Sequence, residues 1–566
     1  MSAYLTFQSL PLHIAEKIFD YMFCNLTRCS PFWHNKIENK HTLAALYEIS
    51  QRWRNIVLRY FYNLIKLTLS KKKLSHYWRF LDILKPIEDN KTNSLLYVEN
   101  VWIRIGRSYL HDTNSGIQLL ADIWPSSYIF PSARRVLIEY GDDYQGNTTN
   151  SAEVEDKVIS AIIQQIFSQM PKLQEVYIDC STKFNCKSDV EYQSVIGSSM
   201  DRILMMALSK VKKLHVTNAS LWSAHIPSYT NLNAGLTYLE FGDSCNSDIC
   251  SHIIKRNATT LNTLVSCFYM KQIDQYLLFD EGGNAIAYSR LEALELKHNP
   301  DDVVIYRHKV DEAVVPFPVL KRLFWEGLYP FEDDTLFRGN GNTLTYLSME
   351  ADKSFRQVAQ KYKIFYKGSH PNLQHITSIC NSSEYDSEEP NIDTQLYMQS
   401  TLDLVSPTTQ VLNLLSLDDM QIFLRAIPGY PHMTSIRVLK IYPIGLRLIE
   451  AIVLLKSLPT LSYLCSNLKG LGTGIDAVNC SSLPEHLCSL YYPLSDNLNI
   501  FCVSSPMDYN EQFLLPAILL AILCPRLNFI SSYLQPMGKY FKERKYMFST
   551  EPYKKYAERV QHLFRG

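Results

Sequence analysis

Between residues 170 and 530 one short pattern keeps returning: Leu-x-x-Leu-x-Leu, or a close variant with Val, Ile or an aromatic in a leucine place. Its candidate strand cores read Leu173/Val176/Ile178, Val211/Leu214/Val216, Leu236/Leu239/Phe241, Leu261/Leu264, Leu291/Leu294/Leu296 and Leu320/Leu323/Trp325. They continue through Leu344/Leu347/Met349, Leu373/Ile376, Ile436/Leu439/Ile441, Leu461/Leu464, Leu487/Leu490 and Leu527/Ile530. Several steps are about 25 residues, as from Val211 to Leu236 to Leu261, and others stretch to about 29. Five junctions share a proline: Met170-Pro171, Phe317-Pro318, His370-Pro371, Leu458-Pro459 and Cys524-Pro525. Proline ends a helix and biases the residue before it toward extended backbone, so each junction reads as a helix giving way to a strand.

A period of 20–29 residues with this pattern is the signature of a leucine-rich repeat. The strand of each repeat buries alternate residues against its own helix, and a parallel sheet grows one repeat at a time along a solenoid. Helical stripes fit the scheme. Val154, Val158, Ile162, Ile163, Ile166 and Met170 form one, and Ala451, Leu454, Leu455 and Leu458 another. The competing reading is a doubly wound α/β domain, against which no Gly-x-Gly-x-x-Gly or Walker-type loop follows any candidate strand. Gly470-Leu471-Gly472-Thr473-Gly474 has no following Lys-Ser/Thr, and reads as a loop closing a repeat rather than a phosphate cradle. The segments 95–103 and 135–140 look like degenerate early strands. In the basic tail, Tyr553, Tyr556, Val560 and Phe564 have helical spacing, as a helix shielding the last repeat would.

Bulk numbers narrow the function. Formal net charge is 0, which gives no global pull toward nucleic acid or acidic membranes. Charge is uneven, however, at roughly +8 in the first 80 residues and roughly +5 in the last 28. The most apolar run, Leu514 to Cys524, is about half the length that spans a bilayer. No basic-then-apolar leader opens the chain, so a cytoplasmic or nuclear location is expected, with no membrane or nucleic-acid partner. The 13 cysteines contain no Cys-x-x-Cys pair, so no metal is expected, and buried thiols in a reducing compartment are. No Gly-x-Ser-x-Gly or His-Glu-x-x-His occurs, and the histidines are isolated; catalytic residues and cofactors are expected to be none. The acidic stretch 384–389 lacks the spacing of a calcium loop and reads as a solvated insertion, with Ser387 a candidate phosphorylation site.

The N-terminal segment is of another kind. Pro11 pre-sets a first helical turn, and Ile14, Ile18 and Phe19 or Tyr21 recur on one helix face. Leu43, Leu46, Ile49, Trp53 and Ile56 line a second, and Val57 to Leu64 is a third short apolar stretch. Three such helices make a thin core, which small domains often complete by binding a partner. Leu10-Pro11, Ile18-Phe19 and Ile49-Ser50-Gln51-Arg52-Trp53 together resemble the F-box. The polar loop after Phe23 is longer than that family's, and Ile49-Ser50 stands where Val-Cys is common. The resemblance implies docking on a Skp-type adaptor and, through it, a cullin scaffold. Leu10, Pro11, Ile14, Ile18 and Phe19 would be first-helix contacts, and Leu46, Ile49 and Trp53 second-helix contacts or core.

The expectation is therefore an α/β chain. A three-helix F-box-like bundle (1–65) and a connector with degenerate first repeats (66–150) precede an irregular leucine-rich-repeat solenoid (151–535) and a basic capping segment (536–566). The sheet would line the concave face and the helices the convex one. The variable positions inside the strand motif would face a substrate protein: Glu175 and Tyr177, Lys213 and His215, Tyr238 and Glu240, Ala293 and Glu295, Arg322 and Phe324, Tyr346 and Ser348, and Val438 and Lys440. Of these, Tyr177, His215, Tyr238, Glu240, Glu295, Phe324, Tyr346 and Lys440 are the leading candidates. They are mixed in charge and rich in aromatics, as protein-binding surfaces are. The implied function is substrate recognition for an SCF-type E3 ubiquitin ligase. The alternatives are a repeat scaffold unconnected to ubiquitin and an enzyme on a degenerate α/β fold.

Overall fold

In a computed structural model of the chain, the leucine pattern becomes a succession of parallel strands. The structure describes residues 64–69, 98–105, 129–140, 163–179, 202–217, 235–242, 245, 247–266, 277–280, 282–297, 314–326, 341–351, 370–380, 390–417, 420–471, 483–503, 511–531, 542 and 553–564. Two compact units divide it, Met1–Tyr269 and Met270–Gly566.

The first unit carries β1 (Leu64–Leu69), β2 (Asn100–Ile105), β3 (Arg135–Tyr140), β4 (Glu175–Asp179), β5 (Lys213–Thr217), β6 (Tyr238–Phe241) and β7 (Thr263–Ser266), with helix α1 (Ser247–Arg256) between the last two. Each strand pairs in parallel with the next. Leu173, Val176 and Ile178, then Leu214 and Val216, then Leu236, Leu239 and Phe241 are buried, as the pattern requires. Helical segments such as 163–168 bury residues too, among them Ile163, Ile166 and Phe167. Alternate strand residues face away from the helices, and that open face carries the polar side chains.

The second unit carries β8 (Ala293–Lys297), β9 (Arg322–Glu326), β10 (Tyr346–Ala351), β11 (His375–Cys380), β12 (Val411–Leu417), β13 (Val438–Leu446), β14 (Tyr463–Leu468), β15 (Ile500–Val503) and β16 (Asn528–Ser531). These too pair in parallel, in chain order. Its α-helices among the described residues are α2 (Pro390–Asp403), α3 (Met420–Ala426), α4 (Leu448–Ser457), α5 (Leu483–Tyr491), α6 (Glu511–Leu523) and α7 (Ala557–Val560). Within each unit the fold is therefore α/β and leucine-rich-repeat-like, one strand per repeat.

A recurring backbone device fixes the register. The two amides that open a strand donate to one carbonyl of the preceding repeat: Lys212 and Lys213 to Gln174, Thr237 and Tyr238 to Lys212, Gln374 and His375 to Thr345, Arg437 and Val438 to Gln410. Side chains add stitches. Buried Asn257 accepts from the Leu236 amide at 3.0 Å and donates to the Ile253 carbonyl at 2.8 Å. Thr260 and Thr460 donate to the Leu236 and Ile436 carbonyls. Gly242 lies so close to β5 that a Cβ there would sit 3.0 Å from the Thr217 Cα.

The structure corrects the strand assignments at several points. Leu483, Leu487 and Leu490 belong to α5, at the i, i+4, i+7 spacing of a helix behind Pro484; the strand comes later, as Leu498-x-x-Phe501-x-Val503. At the last repeat Phe529, not Ile530, pairs with buried Phe501, so Ile530 falls on the open face. One residue of register exchanges the two faces of a strand. β12 escaped the leucine pattern because Thr409 occupies the first leucine place. It is wholly buried, and its hydroxyl donates to the Leu373 carbonyl at 2.7 Å. β1 escaped it too, and Leu64, assigned to a helical stretch, begins that strand.

Helix α6 is apolar on every side, and Leu514 and Ala517 through Cys524 are buried. A helix of that kind needs cover all round, and α4, α5 and α7 pack on it. Tyr553, Tyr556, Val560 and Leu563 of the basic tail are buried there, while Lys555 pairs with Glu485 and Arg559 lies 4.0 Å over the Tyr492 ring. Gly470, with φ of 66°, turns the chain so that its carbonyl and that of Leu471 accept the amides of Leu448 and Ile449. Carbonyls facing a helix N-terminus do not make an anion cradle, which requires N–H groups.

Candidate functional site

The open face of β3–β6 holds a connected charge cluster centred on His215. Parallel register places Tyr177, His215 and Glu240 side by side, and Glu175, Lys213 and Tyr238 in the neighbouring row. His215 Nε2 lies 2.9 Å from Glu175 Oε1, and Nδ1 lies 2.6 Å from Glu240 Oε2. Only a ring protonated on both nitrogens donates to both carboxylates, so the arrangement calls for an imidazolium. Tyr177 stacks on it at 3.9 Å between centroids, and Tyr238 tilts against it at 4.6 Å. The tyrosine hydroxyls donate to the same acids, Tyr177 to Glu175 and Tyr238 to Glu240, each at 2.9 Å. Arg135 on β3 donates to Glu175 Oε2 at 2.9 Å.

Electrostatics follow from this geometry. Burial pushes Glu175 up, but hydrogen bonds from His215 and Tyr177 and the charges of His215 and Lys213 outweigh it and hold the carboxyl at about 2. Burial pushes His215 down, and its bonds to Glu175 and Glu240 reverse this and raise it. The bond from His215 lowers Glu240. Burial, then the Glu175 charge, raises Tyr177 well above the ordinary phenol range. The two carboxylates, the imidazolium and the guanidinium balance one another, and Lys213 beside Glu175 adds a further positive charge. Beside them Trp102 donates to Glu139 at 2.7 Å and Thr217 to Asp179 at 3.0 Å.

The open face of the second unit has the opposite character. Arg322, Tyr346 and His375 form one row, with the Arg322 guanidinium 5.3 Å from the Tyr346 centroid and the Tyr346 and His375 rings 4.4 Å apart. Asn413 donates to His375 Nε2 at 3.0 Å and to Thr377 Oγ1 at 2.9 Å, while its own Oδ1 is buried with no partner among the described residues. Burial, then the charges of Lys440 and Arg322, lowers His375, which is therefore a neutral ring. No carboxylate among the described residues pairs with Arg322 or Lys440.

Of the sequence-derived positions, Tyr177, His215, Tyr238 and Glu240 come together in one cluster. Glu295 and Phe324 are register neighbours; Tyr346 joins Arg322 and His375; Lys440 lies between Asn413 and Cys465. Glu175, another variable strand position legible in the sequence, joins the first cluster with Arg135, and His375 and Asn413 complete the second; Arg135, His375 and Asn413 show up only when strands are aligned in space. Leu10, Pro11, Ile14, Ile18, Phe19, Leu46, Ile49 and Trp53 lie outside the described residues. Among the described residues no group of His, Cys, Asp and Glu could hold a metal ion, and no helix is long and apolar enough to cross a membrane.

No family model matches the chain, and no curated protein matches it. Among solved structures, the crystal structure of the Rad7 and Elc1 complex in yeast is similar to it over 74% of both chains, at 11% identity and a TM-score of 0.26. A likeness that slight assigns neither fold nor function by itself.

Proposed function

We propose that this chain is a substrate-recognition adaptor of an SCF-type E3 ubiquitin ligase, acting in the cytoplasm or nucleus by binding rather than by catalysis. Its N-terminal segment binds a Skp-type subunit and through it a cullin scaffold, and its open strand faces bind a substrate protein. The observation that carries the binding half is the open face itself. It presents aromatics, an arginine and charged groups fixed in place by their neighbours, the composition and pre-organisation that suit a protein partner. The adaptor half rests on Leu10-Pro11, Ile18-Phe19 and Arg52-Trp53.

Co-purification of the full chain with a purified Skp-type subunit tests the reading. Wild type is expected to retain the subunit, and Ile18→Asp and Trp53→Ala to lose it while their strand circular dichroism is unchanged. Failure of wild type to bind, or equal binding by all three, removes the ligase link and leaves a repeat scaffold.

A further inference from the structure

On the open face of β13–β15, register aligns Lys440, Cys465 and Cys502 in one row across three adjacent strands. Neighbouring strands lie about 4.8 Å apart, inside the Cα separation of roughly 4.4–6.8 Å that a disulfide spans. Both residues are thiols, 3% and 5% exposed, and their side chains are in hydrogen-bond contact. So narrow an opening admits small reagents and excludes large ones. We propose that Cys465 and Cys502 are an oxidisable dithiol, in which a hydroperoxide oxidises Cys502 and Cys465 resolves it into a cross-strand disulfide.

The chemistry balances in two steps. The Cys502 thiolate attacks the peroxide's terminal oxygen, its sulfur takes that oxygen to become a sulfenic acid, and the other half leaves as hydroxide from hydrogen peroxide or alkoxide from an organic hydroperoxide. The Cys465 sulfur then displaces that hydroxyl, the S–S bond forms, and the Cys465 proton leaves with it as water. Peroxide is reduced by two electrons and the two thiols are oxidised by two. The surroundings suit Cys502 as the attacking group: a hydrogen bond from Cys465, another from Tyr463 and the Lys440 charge outweigh burial and hold it at about 6. Contrasting thiols lie elsewhere in the chain, since burial raises Cys524 to about 12 and raises Cys250.

The full chain, reduced and then exposed to limiting hydrogen peroxide, is digested without reduction and sequenced by mass spectrometry. A 465–502 crosslink is expected as the first disulfide, with Cys250 and Cys524 still alkylatable after unfolding. Cys465→Ser should accumulate a dimedone adduct on Cys502, and Cys502→Ser should show neither crosslink nor adduct at Cys465. The pH dependence of Cys502 alkylation in the reduced wild type should have its midpoint near 6, and Lys440→Gln should move that midpoint upward. A first disulfide elsewhere, or a midpoint at the ordinary 8–9 of a thiol, overturns the proposal. Because the crosslink and the midpoint are read on wild type, misfolding of a variant cannot mimic either result.

Discussion

Replacing His215 by alanine removes the one cation among the described residues that contacts both Glu175 and Glu240. Glu175 is held at about 2 rather than 4.5, and at about 1.4 kcal/mol per pH unit that displacement corresponds to roughly 3 kcal/mol. Arg135, Tyr177 and Lys213 remain to support Glu175, and the Glu240 side chain is 32% exposed, so water screens part of the loss. A net destabilisation of about 2 kcal/mol is expected, below the roughly 3–5 kcal/mol of breaking a fully buried ion pair because these partners are part-exposed and otherwise supported. Native-state hydrogen exchange of the β4–β6 amides reads it locally, as about 30-fold faster exchange at pH 6. The sign of the pH dependence is fixed. His215 is raised above 6.5, so its contribution is full below that value and fades as pH climbs through its folded value. Glu175 acts in reverse: its contribution is full above 4.5 and is lost as pH falls toward 2. The gap between wild type and His215→Ala should thus be widest near pH 5–6 and shrink as pH climbs above 6.5 through the raised folded value of His215. A gap under about 0.5 kcal/mol, or one that does not change with pH, refutes the imidazolium bridge.

Asn257→Ala leaves the Leu236 amide and the Ile253 carbonyl without their side-chain partner, and should cost about 2–3 kcal/mol in urea-melt midpoints followed by β6–β7 exchange. Gly242→Val forces a side chain against the Thr217 backbone, and a loss of about 1–3 kcal/mol is expected, while Gly235→Ala, where a Cβ meets nothing within 4 Å, should be near neutral. Removing residues 553–566 uncovers the apolar flank of α6, and should raise dye binding to exposed apolar surface and lower the melting temperature. Glu175→Gln in the His215→Ala background should recover part of the lost stability, since the buried charge left uncompensated is then gone.

Strand positions were legible wherever leucine-like residues stood in their places, as in β4–β11, β13 and β14; proline at the helix exit adds a second mark before β4, β9, β11 and β14 but did not fix the register of β16. Thr409 defeats the pattern because a threonine that hydrogen-bonds the preceding repeat can fill a leucine place, and residue type does not reveal that bond. Leu487 and Leu490 misled because Leu-x-x-Leu satisfies both a helix stripe and a strand motif; Leu483, four residues earlier, is the signal that favoured the helix. The open-face positions could be named from alternation alone, Tyr177, His215, Tyr238 and Glu240 among them. Their partnership could not, because Glu175, His215 and Glu240 are brought together by register between repeats of unequal length. The same holds for Cys465 and Cys502, 37 residues apart in sequence and adjacent in the sheet.

The central claim is a division of labour, with one segment for the ligase and another for its substrate. Hydrogen exchange of the full chain, with and without a saturating Skp-type subunit, tests it most directly. The account predicts protection over residues 10–19 and 46–53, and unchanged exchange in β4–β6 and β9–β15. Protection confined to those strands, or none anywhere, would contradict it.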